Sequence, residues 1–201
     1  MLSDKTLVIG NGESRKNINL DLIHCTKYGC NAIFRDHYVD HLICVDSRMV
    51  DEALVSLKKI SKIYTRTDWI NNYEQFPQVK VVPNLPYAGT NREDDPWHWG
   101  SGPYAVLLAA LDYPSTVEMI GFDLYGIDGK VNNVYKGTQN YSKSDSHAID
   151  HSYWVYQISK VFESFPDKYF VVYNKSDWQI PRQWDLENVV VKDIDIFNAT
   201  L

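Results

Sequence analysis

The chain has 201 residues, enough for one domain that buries about 70% of the surface its unfolded form would expose. Hydrophobic residues make up 44% and charged residues 23%, which excludes a disordered or fibrous chain. The net charge of −6, with no run of Lys or Arg, argues against a nucleic-acid partner, because phosphate neutralisation dominates that kind of affinity.

No apolar run approaches the roughly 20 residues that span a bilayer, and no charged leader precedes an apolar stretch, so a cytoplasmic protein without a membrane span is expected. Cys25, Cys30 and Cys44 form no C-x-x-C pair and fit reduced thiols. Apolar runs alternate with helical patterns along the chain. That alternation predicts a Rossmann-like α/β fold, a mostly parallel central sheet with helices on both faces, in a single unit over residues 1–201.

In chain order, residues 7–9 predict a strand ending in the turn Gly10-Asn11-Gly12. Residues 14–24 are expected to form the next helix, with Ile18, Leu22 and Ile23 as a weak apolar stripe. Residues 32–35 and 42–45 read as buried strands, and residues 50–59 as a helix carrying Val50, Ala53, Leu54 and Leu57. Residues 62–65 and 79–82 are further strands, the second stopped by Pro83. Residues 87–102 form a loop, and Pro103 suits the first turn of a buried helix over 104–111. Residues 117–122 are the clearest strand. Residues 126–150 are polar and without period, which predicts a lid or loop insertion, poorly ordered until a ligand arrives. A helix over 151–165 and strands at 169–173 and 189–191 complete the pattern.

Five stretches can carry chemistry. Gly10-Asn11-Gly12-Glu13-Ser14 lets a phosphate approach the backbone where a helix N-terminus would add N–H donors; it reads equally as a tight turn capped by Ser14. Trp99-Gly100-Ser101-Gly102-Pro103 is a second Gly-rich turn opening a helix. Asp123 and Tyr125 stand beyond the end of the strongest strand, where open α/β sheets bind ligands, although Asp123 also suits a turn cap. His147 and His151 lie four apart, a spacing open to a metal pair, a general base or a helix anchor. The stretch from Asp36 to His41 is rich in metal-ligating types and also reads as a polar turn between strands.

Taken in order, these segments resemble the bacterial lipooligosaccharide sialyltransferases, glycosyltransferase family 42. The Gly-Asn-Gly-x-Ser loop, Ile33-Phe34-Arg35, Ser101-Gly102-Pro103-Tyr104, Gly121–Tyr125 and His147-x-Ile149-x-His151-Ser152 carry the likeness. The resemblance implies a CMP-sialic acid donor, a glycan acceptor and inverting displacement with no metal and no cofactor. It makes His151 the general base and gives Tyr125, with Tyr135 or Tyr141, to the departing phosphate. Gly10, Asn11, Gly12, Ser14, Ser101, Gly102 and Asp123 would line the donor site. Two family asparagines fall at Asp36 and Asp46, and the arginine expected before the Ser-Gly turn is replaced by Trp97-His98-Trp99, with Arg92 nearby.

The same loop and strand end resemble the domain found in motility accessory factors and pterin pyrophosphokinase-like proteins, which implies Mg²⁺-dependent pyrophosphoryl transfer. A non-catalytic, virus-encoded accessory protein is the third class, and further copies of the chain stay open as partners.

Overall fold

Eight parallel strands form one sheet in the order β5-β4-β3-β2-β1-β6-β7-β8, in a computed structural model that describes residues 5–56 and 60–199. The strands are β1 (Lys5–Ile9), β2 (Thr26–Cys30), β3 (His41–Ile43), β4 (Lys62–Thr65), β5 (Val79–Val81), β6 (Thr116–Ile120), β7 (Tyr169–Asn174) and β8 (Val189–Asp193). The helices are α1 (Ser47–Val55), α2 (Ser101–Leu111), α3 (Ser152–Ser164) and the short α4 (Ile194–Asn198). The Rossmann-like arrangement expected from the sequence is the one found.

Strand alternation divides the core into two layers. Leu7 and Ile9 of β1, with Val171 and Tyr173 of β7, face a layer closed by α1, α4 and short 3₁₀ turns. Val8, Val117, Met119, Phe170 and Val172 face α2 and α3. Helix α2 is apolar nearly all round because it lies between the sheet and α3, and Pro103 costs it nothing in a first turn whose N–H groups have no intrahelical partner. Trp184, fully buried, packs edge-on to Phe162 and donates its indole N–H to the Val155 carbonyl, tying the C-terminal segment to α3.

Two expectations fail. Residues 32–35 are not a strand: Asn31–Arg35 is a 3₁₀ turn, and the strand lies one step earlier at Thr26–Cys30. Its buried Lys27 extends Nζ to the Leu20 carbonyl, so a polar residue inside the sheet is satisfied. Residues 14–24 are not a helix either but two 3₁₀ turns, Glu13–Arg15 and Leu20–Leu22, the second capped by Asn19. Their apolar residues are too sparse to give a helix a continuous buried stripe. The helix expected over 50–59 is α1; Leu57 lies outside the described residues.

Candidate active site

The chain runs outward from β1 to β5 and returns to β6 on the other side of β1, so the strand order switches between β1 and β6. Loops leaving two such strands diverge, and the gap between them is where open α/β sheets take ligands. Here that gap is a cleft of about 290 Å³.

The two loops are bound to each other. Gly10 N–H donates to the Ile120 carbonyl at 2.9 Å, and Gly12 N–H to the Gly121 carbonyl at 2.8 Å. A side chain on Gly10 would place Cβ 2.4 Å from the Gly121 carbonyl oxygen, so the contact needs glycine. Gly121 itself has φ +69°, the left-handed region that glycine enters freely. Ser14 donates its backbone N–H to Asp123 Oδ2 at 2.9 Å and its hydroxyl to Oδ1 of the same carboxylate. Asp123 therefore caps the turn that follows β1.

The far wall is the N-terminus of α2. Ser101 Oγ donates to Asn31 Oδ1 at 2.9 Å and accepts the Val45 N–H at 3.1 Å, which joins α2, β2 and β3 at one point. Asn31, Asn132, Asn133, Tyr153 and Trp154 also line the cleft. Among the described residues lining the cleft there is no Lys or Arg; its carboxylates are Asp46 and Asp123. The unpartnered N–H groups and dipole of α2 thus offer positive potential to an anion without a cationic side chain in the wall. Cys30 also lines the cleft, but burial pushes its thiol to about 12, so it is no thiolate nucleophile.

Gly10, Asn11, Gly12, Asp46, Ser101, Gly102 and Asp123 all meet at this cleft. Asp46 caps α1 and pairs with Arg48 at 2.6 Å, and the hydrogen bond from Arg48 holds its carboxyl below the usual range. Asp36 does not line the cleft; it is exposed, and its carboxylate raises the Tyr135 phenol's pKa. Tyr135 is buried behind the β1 loop, where burial pushes its phenol up to about 12 even though Arg15 pulls the other way. The Tyr141 hydroxyl accepts the Ala32 N–H at 3.3 Å and one from Asn11 Nδ2 at 3.4 Å. Both tyrosines support the loop from below rather than facing the cleft.

Tyr125 and His151 form an edge-to-face pair, ring centroids 4.8 Å apart; neither lines the cleft, although Leu124 and Tyr153, close to them in sequence, do. The Tyr125 hydroxyl donates to the Gln179 carbonyl at 2.9 Å. His147 and His151 share no helix: α3 starts after His151, and His147 is bridged to Lys130 in the preceding loop. Of the Asp36–His41 stretch, His41 stacks on Tyr28 at 4.3 Å and Asp40 accepts the Lys27 N–H at 2.9 Å. Arg92 lies in an exposed 3₁₀ turn against His98 and does not line the cleft. No three His, Cys, Asp or Glu side chains gather in a metal-holding group among the described residues.

Residues 126–150 carry only isolated bridges, yet Val131 and Tyr135 are buried, Glu13 N–H donates to Asn132 Oδ1, and Val134 N–H donates to the Asn11 carbonyl. The sequence reading missed Asn31, Tyr153 and Trp154. Asn31, with φ +49°, follows an unremarked strand, and only the left-handed tolerance of asparagine hints at a turn there.

Fold and cleft define an α/β protein of the doubly wound, switch-point class. The chain is similar in structure to the monofunctional alpha-2,3-sialyltransferase Cst-I from Campylobacter jejuni, with a TM-score of 0.60 and 16% identity over 92% of this chain and 82% of that one. It is also similar to the sialyltransferase CstII from Campylobacter jejuni, solved with the substrate analogue cytidine-5'-monophosphate, with a TM-score of 0.50 and 13% identity over 86% and 80% of the two chains. No family model and no curated protein matches the sequence. No helix among the described residues is long and apolar enough to cross a membrane.

Proposed function

We propose that the chain is a glycosyltransferase that binds a CMP-sugar, such as CMP-sialic acid, in the β1/β6 cleft and transfers the sugar to a glycan hydroxyl by inverting displacement without a metal. The observation that carries this reading is the cleft itself, closed by the α2 N-terminus and by Asn11, Asn31 and Ser101 with no cationic side chain in its wall. The shared fold with the two sialyltransferases and the order of the sequence motifs support it. In the reaction, the acceptor oxygen attacks the anomeric carbon as His151 takes its proton. The bond from that carbon to the phosphate oxygen breaks on the opposite side, and the charge on the leaving phosphate falls to the α2 N–H groups. Tyr125 can serve that phosphate only after its hydroxyl leaves the Gln179 carbonyl.

Asp46 and Asp123 in one cleft favour a second reading, pyrophosphoryl transfer from ATP, in which one or two carboxylates and the substrate phosphates would share Mg²⁺. A thermal-shift panel of CMP, CDP, UDP, GDP and ATP, each with and without Mg²⁺, separates the two. CMP at 100 times its Kd should add about 2.7 kcal/mol of stability without metal. Stabilisation by ATP with Mg²⁺ alone replaces the first reading with the second.

A further inference from the structure

Arg15 is only 4% exposed, yet no carboxylate of the described residues forms an ion pair with it. Its Nε donates to the Gly10 carbonyl at 2.6 Å, and its Nη2 to Asn11 Oδ1 at 3.0 Å and to the Tyr135 hydroxyl at 3.4 Å. The exposed Asp36 carboxylate acts on that same phenol, raising its pKa against the pull of Arg15. A Cβ on Gly121 would lie 3.1 Å from Arg15 Cδ, so the side chain passes directly beneath both glycine turns of the cleft.

Burying a cation without a counter-charge is costly, and buried charges are ordinarily paired. The missing partner has an obvious place. Gly10, Asn11 and Gly121, which cover the guanidinium, line the cleft, where the only charged groups among the described residues are the carboxylates of Asp46 and Asp123. A phosphate entering there meets repulsion from Asp123 that no cation in the wall offsets. A buried charge below the loop is screened little by salt and acts through the peptide it holds.

We propose that Arg15 is the positioning residue for the nucleotide phosphate: it supplies the positive charge of the site from beneath the Gly10–Asn11 backbone and fixes the Asn11 carboxamide, without touching the ligand. With Oδ1 held by Arg15, Asn11 turns Nδ2 to the Cys30 carbonyl at 3.0 Å, so one contact sets both field and geometry. This rests on the reading of the cleft as a nucleotide site, and the test separates the two.

Binding of CMP, cytidine and inorganic pyrophosphate is measured by calorimetry for the wild type and for Arg15→Gln and Arg15→Lys. Arg15→Gln should weaken CMP about tenfold, equal to about 1.4 kcal/mol, and leave cytidine unchanged, whereas Arg15→Lys keeps most of the CMP affinity. Equal loss for CMP and cytidine, or no loss for either, overturns the role. Should Arg15→Gln fail to fold, Asp36→Asn removes the negative charge that acts on the Tyr135 phenol beside Arg15, and CMP should then bind roughly two- to threefold more tightly at low salt with cytidine unchanged. No change in that variant also overturns it. Pyrophosphate binding that is lost in Arg15→Gln, with no preference for CMP, keeps the role of Arg15 and removes the CMP-sugar reading. A wild type that binds neither overturns both.

Discussion

Ser14 is held on the Asp123 carboxylate by its backbone N–H and its hydroxyl together, which fastens the turn after β1 to the loop after β6. The same carboxylate stands where a side chain on Gly12 would go, with Asp123 Cγ 2.3 Å from an ideal Cβ. Asp123→Ala should cost about 1–3 kcal/mol through the unpaired Ser14 donors. Gly12→Ala should destabilise the wild type more than it destabilises Asp123→Ala, giving a coupling of about 0.5–3 kcal/mol in urea unfolding. Strictly additive costs would show that the two loops do not bear on one another.

Gly121 and Gly129 separate backbone strain from collision. Both have positive φ, +69° and +71°, but a Cβ on Gly121 meets the Gly10 carbonyl oxygen at 2.6 Å, and one on Gly129 meets nothing within 4 Å. Gly129→Ala should cost about 1–3 kcal/mol for the left-handed backbone alone. Gly121→Ala should cost clearly more and weaken nucleotide binding as well. Equal melting temperatures for the two variants would refute the close approach of the glycine turns.

His151 is expected to act on the acceptor and not on the donor. His151→Phe keeps a ring against Tyr125, now 4.8 Å from the imidazole, but supplies no base. Turnover should fall by roughly 10²–10⁴-fold with nucleotide affinity little changed. His147→Ala, in the exposed loop, serves as control and should cost much less. Undiminished transfer by the Phe variant would reduce His151 to a helix-start residue.

The segment 126–150 is tied down at Glu52. Arg35 grips Glu52 through Nε at 2.6 Å and Nη2 at 2.7 Å and also donates to Thr138 Oγ1 and the Gln139 carbonyl, while Asn140 donates to Glu52 at 3.0 Å. The Arg35 hydrogen bonds hold the Glu52 carboxyl below its ordinary value. A depressed folded-state pKa contributes stability above the unfolded value, about 4.3, and loses it as pH falls through the folded one. Protease cleavage within 126–150 should therefore accelerate below about pH 4, and Glu52→Gln should reproduce the effect at pH 7. Nucleotide should slow cleavage in both settings. Cleavage indifferent to pH and to Glu52→Gln would leave the buried Val131 and Tyr135 as the whole anchor.

Strands β1 and β6 were legible because their apolar runs end in glycine turns, and those turns also marked one side of the cleft. Strand β2 was not legible. Its sequence Thr-Lys-Tyr-Gly-Cys has a charge and a glycine, and both have tertiary reasons: Lys27 finds the Leu20 carbonyl, and a Cβ on Gly29 would stand 2.6 Å from Ile33 and 2.8 Å from Val39. The apolar Ala32-Ile33-Phe34 looked like a strand because burial, not pairing, gives it that composition. The displacement hid Asn31. Tyr153 and Trp154 were hidden differently, since nothing local in an amphipathic helix says which aromatic leaves the core for a cleft.

The hydrogen bonds from Glu13 to Asn132 and from Val134 to Asn11 span almost the whole distance from the first strand to the sixth and beyond. The turn after β1 emerges from the ribosome more than a hundred residues before the groups that fix it, as these sequence separations require. Long-range closures of this kind form late and slowly. A growing chain therefore carries an unfinished β1 loop until the segment after β6 has folded, and CMP added during translation should be retained only by chains that have passed β6 and that segment.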